Sequence, residues 1–344
     1  MEPQTEEIGM LDLMPRPTFC VQNGSIVRLN QEARKLFLRE GLSLRLLLES
    51  GSEDYAAFSG GLLYLTLTIH GQNFGASVAR IGQEDVFTLD QQFECEELRV
   101  LALAARELRA PLTDAMLAAQ HLAPKVPAAG QLNRSLYQLL RIVGNMSDAS
   151  GSSPAFRPEN QNLTALFQEI TEKIIALSEP AGVQISYSAP DESWNCCIDR
   201  QLMERAVLNM ISNALKFTPK GGTIRLALHR SGRQFRFCVE DDGHGLSEKE
   251  QATLFSRYLR EPSIEDSRHG IGLGMLLIRN TAARHRGAVL VDHPQGKGTR
   301  VTITFTSVPE CCTGLQSRLM LADYAGEQDH ALVELSEFLP PSFY

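Results

Sequence analysis

The 344-residue sequence has no excess of positive charge and no apolar run long enough for a lipid bilayer. Lys plus Arg number 33 against 41 Asp plus Glu, a net charge of −8, which argues against a nucleic-acid groove or an anionic membrane surface as the main partner. No window approaches the ~20 apolar residues that span a membrane, and MEPQTEEIGM at the N-terminus lacks the basic and apolar regions of a secretory signal. A cytoplasmic protein without a membrane span is therefore expected. The seven cysteines lack the paired short spacings of zinc or redox sites, the neighbours Cys196-Cys197 and Cys311-Cys312 are poorly placed to chelate one metal, and an odd count suits a reducing compartment. What the chain does have is length and 43% apolar residues, enough for two or three domains that each bury a core.

Residues 8–90 mix short apolar runs with turn signals. TFCVQNGSIVRLN reads as strand, Asn23-Gly24 turn and strand, NQEARKLFLREG as a short helix closed by Gly41, and LLYLTLTIHG and NFGASVARIG as strands with alternating apolar residues. This part resembles a small PAS-like sensor domain, in which a strand and the motif around Asn30-Gln31-Glu32-Ala33 precede helices and a returning sheet. His70 reads as a surface or sheet histidine rather than a ligand. From residue 91 the period changes. Leu98, Leu101, Ala105, Leu108, Leu112, Ala115, Ala119 and Leu122 recur in steps of three and four, and Leu132, Leu136, Leu139, Val143 and Met146 repeat the spacing beyond the breaker HLAPKVPAAGQ. Two such helices predict a hairpin over 91–150, and a homodimer through helices 91–148 that closes a four-helix bundle would bury the stripe. Packing of the hairpin on its own chain is the alternative. The tail 307–344 has room for one amphipathic helix in its later half.

Three motifs between 200 and 300 carry the chemistry. In MERAVLNMISNALKF, Asn209 and Asn213 lie one helical turn apart and share a face, so their carboxamides can ligate a cation or meet phosphate oxygens, with Lys216 adding a point charge. In FRFCVEDDGHGL a strand runs into Asp241, where a carboxylate can accept a hydrogen bond from an adenine amino group, while Gly243 and Gly245 let the backbone approach the ring. His244 reads as a loop residue. In RHGIGLGMLLIRN, Gly270, Gly272 and Gly274 precede an apolar helix whose N-terminus can meet anionic phosphates. GKGTRVTITF, with Gly296, Gly298 and Thr299, opens the closing strand.

In order, spacing and element type these motifs resemble the catalytic ATP-binding domain of sensor histidine kinases, whose fold is shared with DNA gyrase B, Hsp90 and MutL. The resemblance implies ATP and Mg2+ as cofactors, Asn213 as the metal ligand beside Asn209 and Lys216, and Asp241 as the adenine-binding carboxylate. It implies Gly243 and Gly245 shaping the adenine pocket, and Gly270, Gly272 and Gly274 closing over the phosphates ahead of Thr299. LFSRYLR looks like the family's aromatic segment, with Phe255 and Tyr258 anchoring a lid and Arg260 available to a phosphate. The expected fold class is multidomain α+β: a PAS-like N-terminal domain over 8–90, a helical-hairpin dimerisation bundle over 91–150 and a C-terminal α/β-sandwich ATP-binding domain of the histidine kinase/Hsp90/gyrase type over 151–306, followed by the tail.

The same resemblance exposes one departure. The family's first bundle helix carries His-Glu-Leu-Arg-x-Pro-Leu, whereas this chain reads Arg106-Glu107-Leu108-Arg109-Ala110-Pro111-Leu112. Glu107 keeps the general-base position, but Arg106 holds the place of the phosphoacceptor, and a guanidinium that stays protonated with delocalised lone pairs is no nucleophile. His121 lies four turns away. The sequence thus implies an ATP-binding homologue in two-component signalling that is impaired in autophosphorylation, with a response regulator or partner histidine kinase as its counterpart. A non-catalytic, ATP-dependent pseudokinase controlling such a partner is the alternative.

Overall fold

A computed structural model describes residues 10–48, 50–90, 96–122, 129–149, 156–188, 190–247, 254, 273–294, 297–308 and 329–344. The N-terminal part opens with β1 (Thr18–Gln22) and β2 (Ser25–Leu29), hinged at Asn23 and Gly24, both of which have positive φ. Asn30 then caps α1 (Gln31–Lys35), its Oδ1 accepting from the Ala33 N–H at 2.9 Å and from the Thr18 N–H at 3.0 Å. After α2 (Ser52–Ala57) come β3 (Leu62–Ile69), β4 (Gln72–Ile81) and β5 (Glu84–Leu89), and the five strands lie in the order β2-β1-β5-β4-β3. Alternation along β3 divides its residues between two cores. Leu63, Leu65 and Leu67 face the N-terminal core, and Leu62 and Tyr64 face the core of the C-terminal part.

Two long helices follow, α3 (Glu96–Leu122) and α4 (Ala129–Ala149), as the three-four periodicity predicts. The buried faces are shifted from the expected seam. Ala105, Leu112, Met116 and Ala119 pack against Leu136, Tyr137, Leu140 and Val143, while Leu108, Leu132 and Leu139 are exposed. A straight helix turns 3.6 residues per turn, so a stripe read as an ideal heptad drifts around it.

The C-terminal part is an α/β sandwich. β6 (Glu159–Asn162) pairs with β8 (Asn195–Ile198), and α5 (Leu163–Ser178), α6 (Arg200–Phe217) and α7 (Leu273–Arg284) cover the sheet built from β7 (Gln184–Ser188), β9 (Thr223–Ser231), β10 (Gln234–Asp241), β11 (Val289–Asp292) and β12 (Thr299–Thr306). Phe167 of α5 stacks on Phe237 of β10 with ring centroids 4.6 Å apart, and Phe305 of β12 joins them. The sheet order is β11-β12-β10-β9-β7, with β7 parallel to β9 and the other pairs antiparallel.

Three tertiary features lie beyond the local sequence pattern. First, β3 pairs with β11 through Tyr64 opposite Val289, which joins both sheets into one of ten strands. Buried polar groups line that junction: Asp54 of α2 accepts from Gln234 Nε2 at 2.8 Å and Thr304 Oγ1 at 2.9 Å, and Arg279 of α7 meets Asp90 and donates to the Tyr64 hydroxyl at 2.7 Å. Second, the chain end forms α8 (His330–Glu334) and a terminal turn wedged between α4 and α6, with Tyr344 against Tyr137 and the carboxylate of Glu334 buried. Third, Cys197 is disulfide-bonded, whereas Cys20, Cys196 and Cys238 are free thiols. An odd cysteine count, read as suiting a reducing compartment, does not report this disulfide, which depends on proximity in space. Among the described residues no helix is long and apolar enough to cross a membrane.

Candidate functional site

The site begins with the anchoring of α6. Asp199 caps it, accepting from the Leu202 N–H at 3.1 Å with one oxygen and from the Arg157 N–H at 2.8 Å with the other. The Asp199 N–H donates to Nε2 of the buried His285 at 2.9 Å, and burial holds that imidazole below its ordinary pKa, so it stays a neutral acceptor. With its start fixed, α6 presents Asn209, Asn213 and Lys216 along one side to a cavity of about 390 Å³. Asn209 is buried; its Nδ2 donates to the Arg205 carbonyl at 3.0 Å, and its Oδ1 has no hydrogen-bond partner among the described residues. A buried amide oxygen without a partner costs about 1–3 kcal/mol, which a cation or a donor from a bound molecule would relieve.

Opposite α6, β10 ends at Asp241, buried at the cavity wall. The β10–β12 register sets Asp241 across from Thr299, and one carboxylate oxygen accepts from the Gly243 N–H at 2.9 Å and the Thr299 N–H at 3.3 Å. Burial raises the pKa of this carboxyl, against the lowering effect of those two backbone donors. Two glycines make the approach possible. A Cβ on Gly243 would stand 2.5 Å from the Phe217 carbonyl oxygen, and one on Gly298, at φ 66°, would stand 1.9 Å from the Asp241 carbonyl oxygen. At the start of α7, Gly274 comes so near α6 that a Cβ there would meet Asn209 Oδ1 at 2.7 Å.

Of the residues singled out from the sequence, Asn209, Asn213, Lys216, Asp241, Gly274 and Thr299 share the cavity wall. Gly243 and Gly245 sit behind it in the turn after β10, where His244 packs edge-on against Phe217 rather than facing the cavity. Phe255, Tyr258, Arg260, Gly270, Gly272 and Gly296 lie outside the described residues. Arg106 and Glu107 do not line the cavity. They sit on α3 with side chains 77% and 76% exposed, 3.6 Å from each other, a separation at which a solvated ion pair contributes little.

The structure adds wall residues that local motifs did not reveal: Gln138, Arg141, Ile142 and Asn145 of α4, and Glu337 of the tail. Their sequence environment signals a helix and a tail, and only the packing of α4 on α7 and of the chain end against α4 and α6 brings them to the cavity.

Residues 198–309 match the family described as histidine kinase-, DNA gyrase B- and HSP90-like ATPase. The C-terminal part is accordingly an α/β ATP-binding domain of the histidine kinase type. Curated relatives include adaptive-response sensory kinase SasA of Prochlorococcus marinus, 29% identical over 224 residues that cover 62% of this chain and 57% of the relative. Another is SasA of Synechococcus sp. (strain JA-3-3Ab), 29% identical over 244 residues that cover 64% of each. The chain thus matches 57% to 64% of the length of these sensory kinases. Among solved structures, full-length ShkA in complex with AMPPNP aligns with a TM-score of 0.50 and 22% identity over 61% of this chain and 46% of that one, a likeness of fold.

Proposed function

We propose that this chain is an ATP-binding sensor histidine kinase homologue of two-component signalling that does not phosphorylate itself at the family's usual position. The observation that carries the reading is that Asp241, Thr299, Asn209, Asn213 and Lys216 come together on one cavity wall; the resemblance of 106–112 to the family's acceptor motif supports reading Arg106 as standing where the acceptor would be. Asp241 would take the adenine amino group, and Asn213 with the unpartnered Oδ1 of Asn209 would hold Mg2+, for which neutral amide oxygens are suitable ligands. The metal supplies charge neutralisation on the phosphates when bound; Lys216 adds a positive charge beside them. A histidine in place of Arg106 would be the nucleophile and Glu107 its proton acceptor.

Incubation with Mg-ATP followed by detection of acid-labile phosphate tests this. No label is expected on the unaltered chain, and label is expected on Arg106→His. Label on the unaltered chain overturns the reading. Label on neither would favour the second reading, a non-catalytic switch that controls a response regulator or partner kinase. That reading draws on the closeness of hairpin and tail to the cavity, through which nucleotide occupancy could reach a partner.

The remaining architecture follows the same proposal. Strand order β2-β1-β5-β4-β3, with helices between β2 and β3, supports a PAS-like sensor domain over 8–90 ahead of a hairpin over 91–150, a nucleotide domain over 151–306 and the tail. The exposed Leu103, Leu108, Leu117, Leu132 and Leu139 support a homodimer through the hairpin. Sedimentation at micromolar concentration is expected to give a dimer, and Leu108→Arg with Leu139→Arg a monomer; a monomeric unaltered chain would rule the dimer out.

A further inference from the structure

Two cations of the cavity wall, Arg141 and Lys216, pair with the tail. Glu337, which itself lines the cavity, places Oε2 at 3.3 Å from Nη1 of Arg141 and Oε1 at 3.7 Å from Nζ of Lys216. Arg141 comes from the hairpin helix α4, and two further contacts fix its guanidinium: Nε to Glu334 at 3.0 Å and Nη2 to Ser212 of α6 at 2.9 Å. Its side chain is largely shielded, as is that of Lys216, while Glu337 is 42% exposed and so the most easily displaced member of the group. A carboxylate that bridges two cations on a cavity wall holds a place suited to a phosphate group, since both anions pair with a guanidinium and an ammonium.

We propose that Arg141 is a phosphate ligand of the nucleotide site, contributed by the hairpin helix, and that Glu337 of the tail stands in for the phosphate until nucleotide displaces it. The inference rests on the nucleotide reading of the cavity. It also gives the tail a role, because the segment that seals α4 against α6 carries the anion that nucleotide must replace. Glu334, wholly buried beneath, keeps Arg141 aimed at the cavity when Glu337 leaves.

Affinities of the full chain for Mg-AMPPNP and for adenosine, measured by calorimetry, test the proposal. Glu337→Gln removes the competing charge from a partly exposed position. It is expected to tighten Mg-AMPPNP binding about three- to tenfold and to leave adenosine unchanged, as fits a partly solvated ion pair. Arg141→Gln is expected to weaken Mg-AMPPNP by a similar factor, again sparing adenosine. Unchanged or weaker triphosphate binding in Glu337→Gln, with adenosine binding normal, overturns the role of Arg141 and Glu337 alone. Failure of the unaltered chain to bind either molecule overturns the nucleotide reading and this inference with it. If Arg141→Gln does not fold, because the buried Glu334 loses one of its cationic partners, the Glu337→Gln comparison decides.

Discussion

Asp241→Asn is expected to weaken binding of an adenine nucleotide roughly 10- to 150-fold, the equivalent of the ~1.5–3 kcal/mol of a hydrogen bond to a charged group. The geometry explains why a change of one atom has this effect. One oxygen of Asp241 is already engaged by the N–H groups of Gly243 and Thr299, so an asparagine would keep its own oxygen there and turn its NH2 toward the cavity. Donor would then face the adenine donor. The fold should not suffer, because burial already disfavours the charged form of this carboxyl and a neutral amide avoids that cost. Equal thermal midpoints with unequal nucleotide affinity is the expected pair of measurements, and equal affinity would remove Asp241 from the site.

The same environment sets a pH dependence with opposite signs for binding and stability. With its pKa raised by burial, the Asp241 carboxyl protonates in the folded chain at a higher pH than in the unfolded one. As pH falls through that raised value the acceptor for the adenine amino group is lost, so nucleotide affinity declines. Over the same window the folded state binds a proton that the unfolded state does not yet bind, so this group's contribution to stability increases. Titration of affinity against pH, compared between the unaltered chain and Asp241→Asn, isolates the carboxyl: the decline should be absent in the variant.

Arg279→Ala is expected to cost about 3–5 kcal/mol of stability, measured from the denaturant midpoint. Arg279 and Asp90 are 2% and 4% exposed, and the guanidinium also lies over the Tyr64 ring at 3.8 Å, so its removal leaves a buried carboxylate without its main partner and a hole beside an aromatic. The cationic group of Arg16, 3.1 Å from the other oxygen of Asp90, offsets part of the loss. Burial together with the neighbouring Asp90, opposed by the nearby Arg279, leaves the Tyr64 hydroxyl raised to about 12, so it stays a neutral link in this group. The double variant Arg279→Met with Asp90→Asn is expected to recover much of the loss, because no buried charge is then left unpaired. A cost under about 1 kcal/mol for Arg279→Ala would mean that the ion pair does not hold the N-terminal sheet to α7.

Much of the candidate site's wall was legible because its parts are local. A helix with amides four residues apart, a strand ending in Asp241 and a glycine-led helix each declare themselves within about a dozen residues, since periods of 3.6 and 2 fix which side chains share a face. The register of β10 on β12 then brings Asp241 and Thr299 together. The helices α3 and α4 were legible in the same way, although their buried faces are rotated from the heptad seam and Leu108, Leu132 and Leu139 are exposed.

What the sequence determined by itself was that Asn209, Asn213 and Lys216 could share one face of a helix, that a strand would end at Asp241, and that the segment 106–112 opens with an arginine, since each depends on residue type at fixed spacing. Only the tertiary structure decided that β3 would pair with β11, that Arg279 would bury itself against Asp90, and that Arg141 and Glu337 would meet at the cavity wall from segments almost 200 positions apart. The physical reason is that edge-strand hydrogen bonds and ion pairs carry no periodicity along the chain. Backbone N–H and C=O groups are the same at every strand edge, and an arginine on a helix reads alike whether water or a carboxylate from the far end of the chain surrounds it.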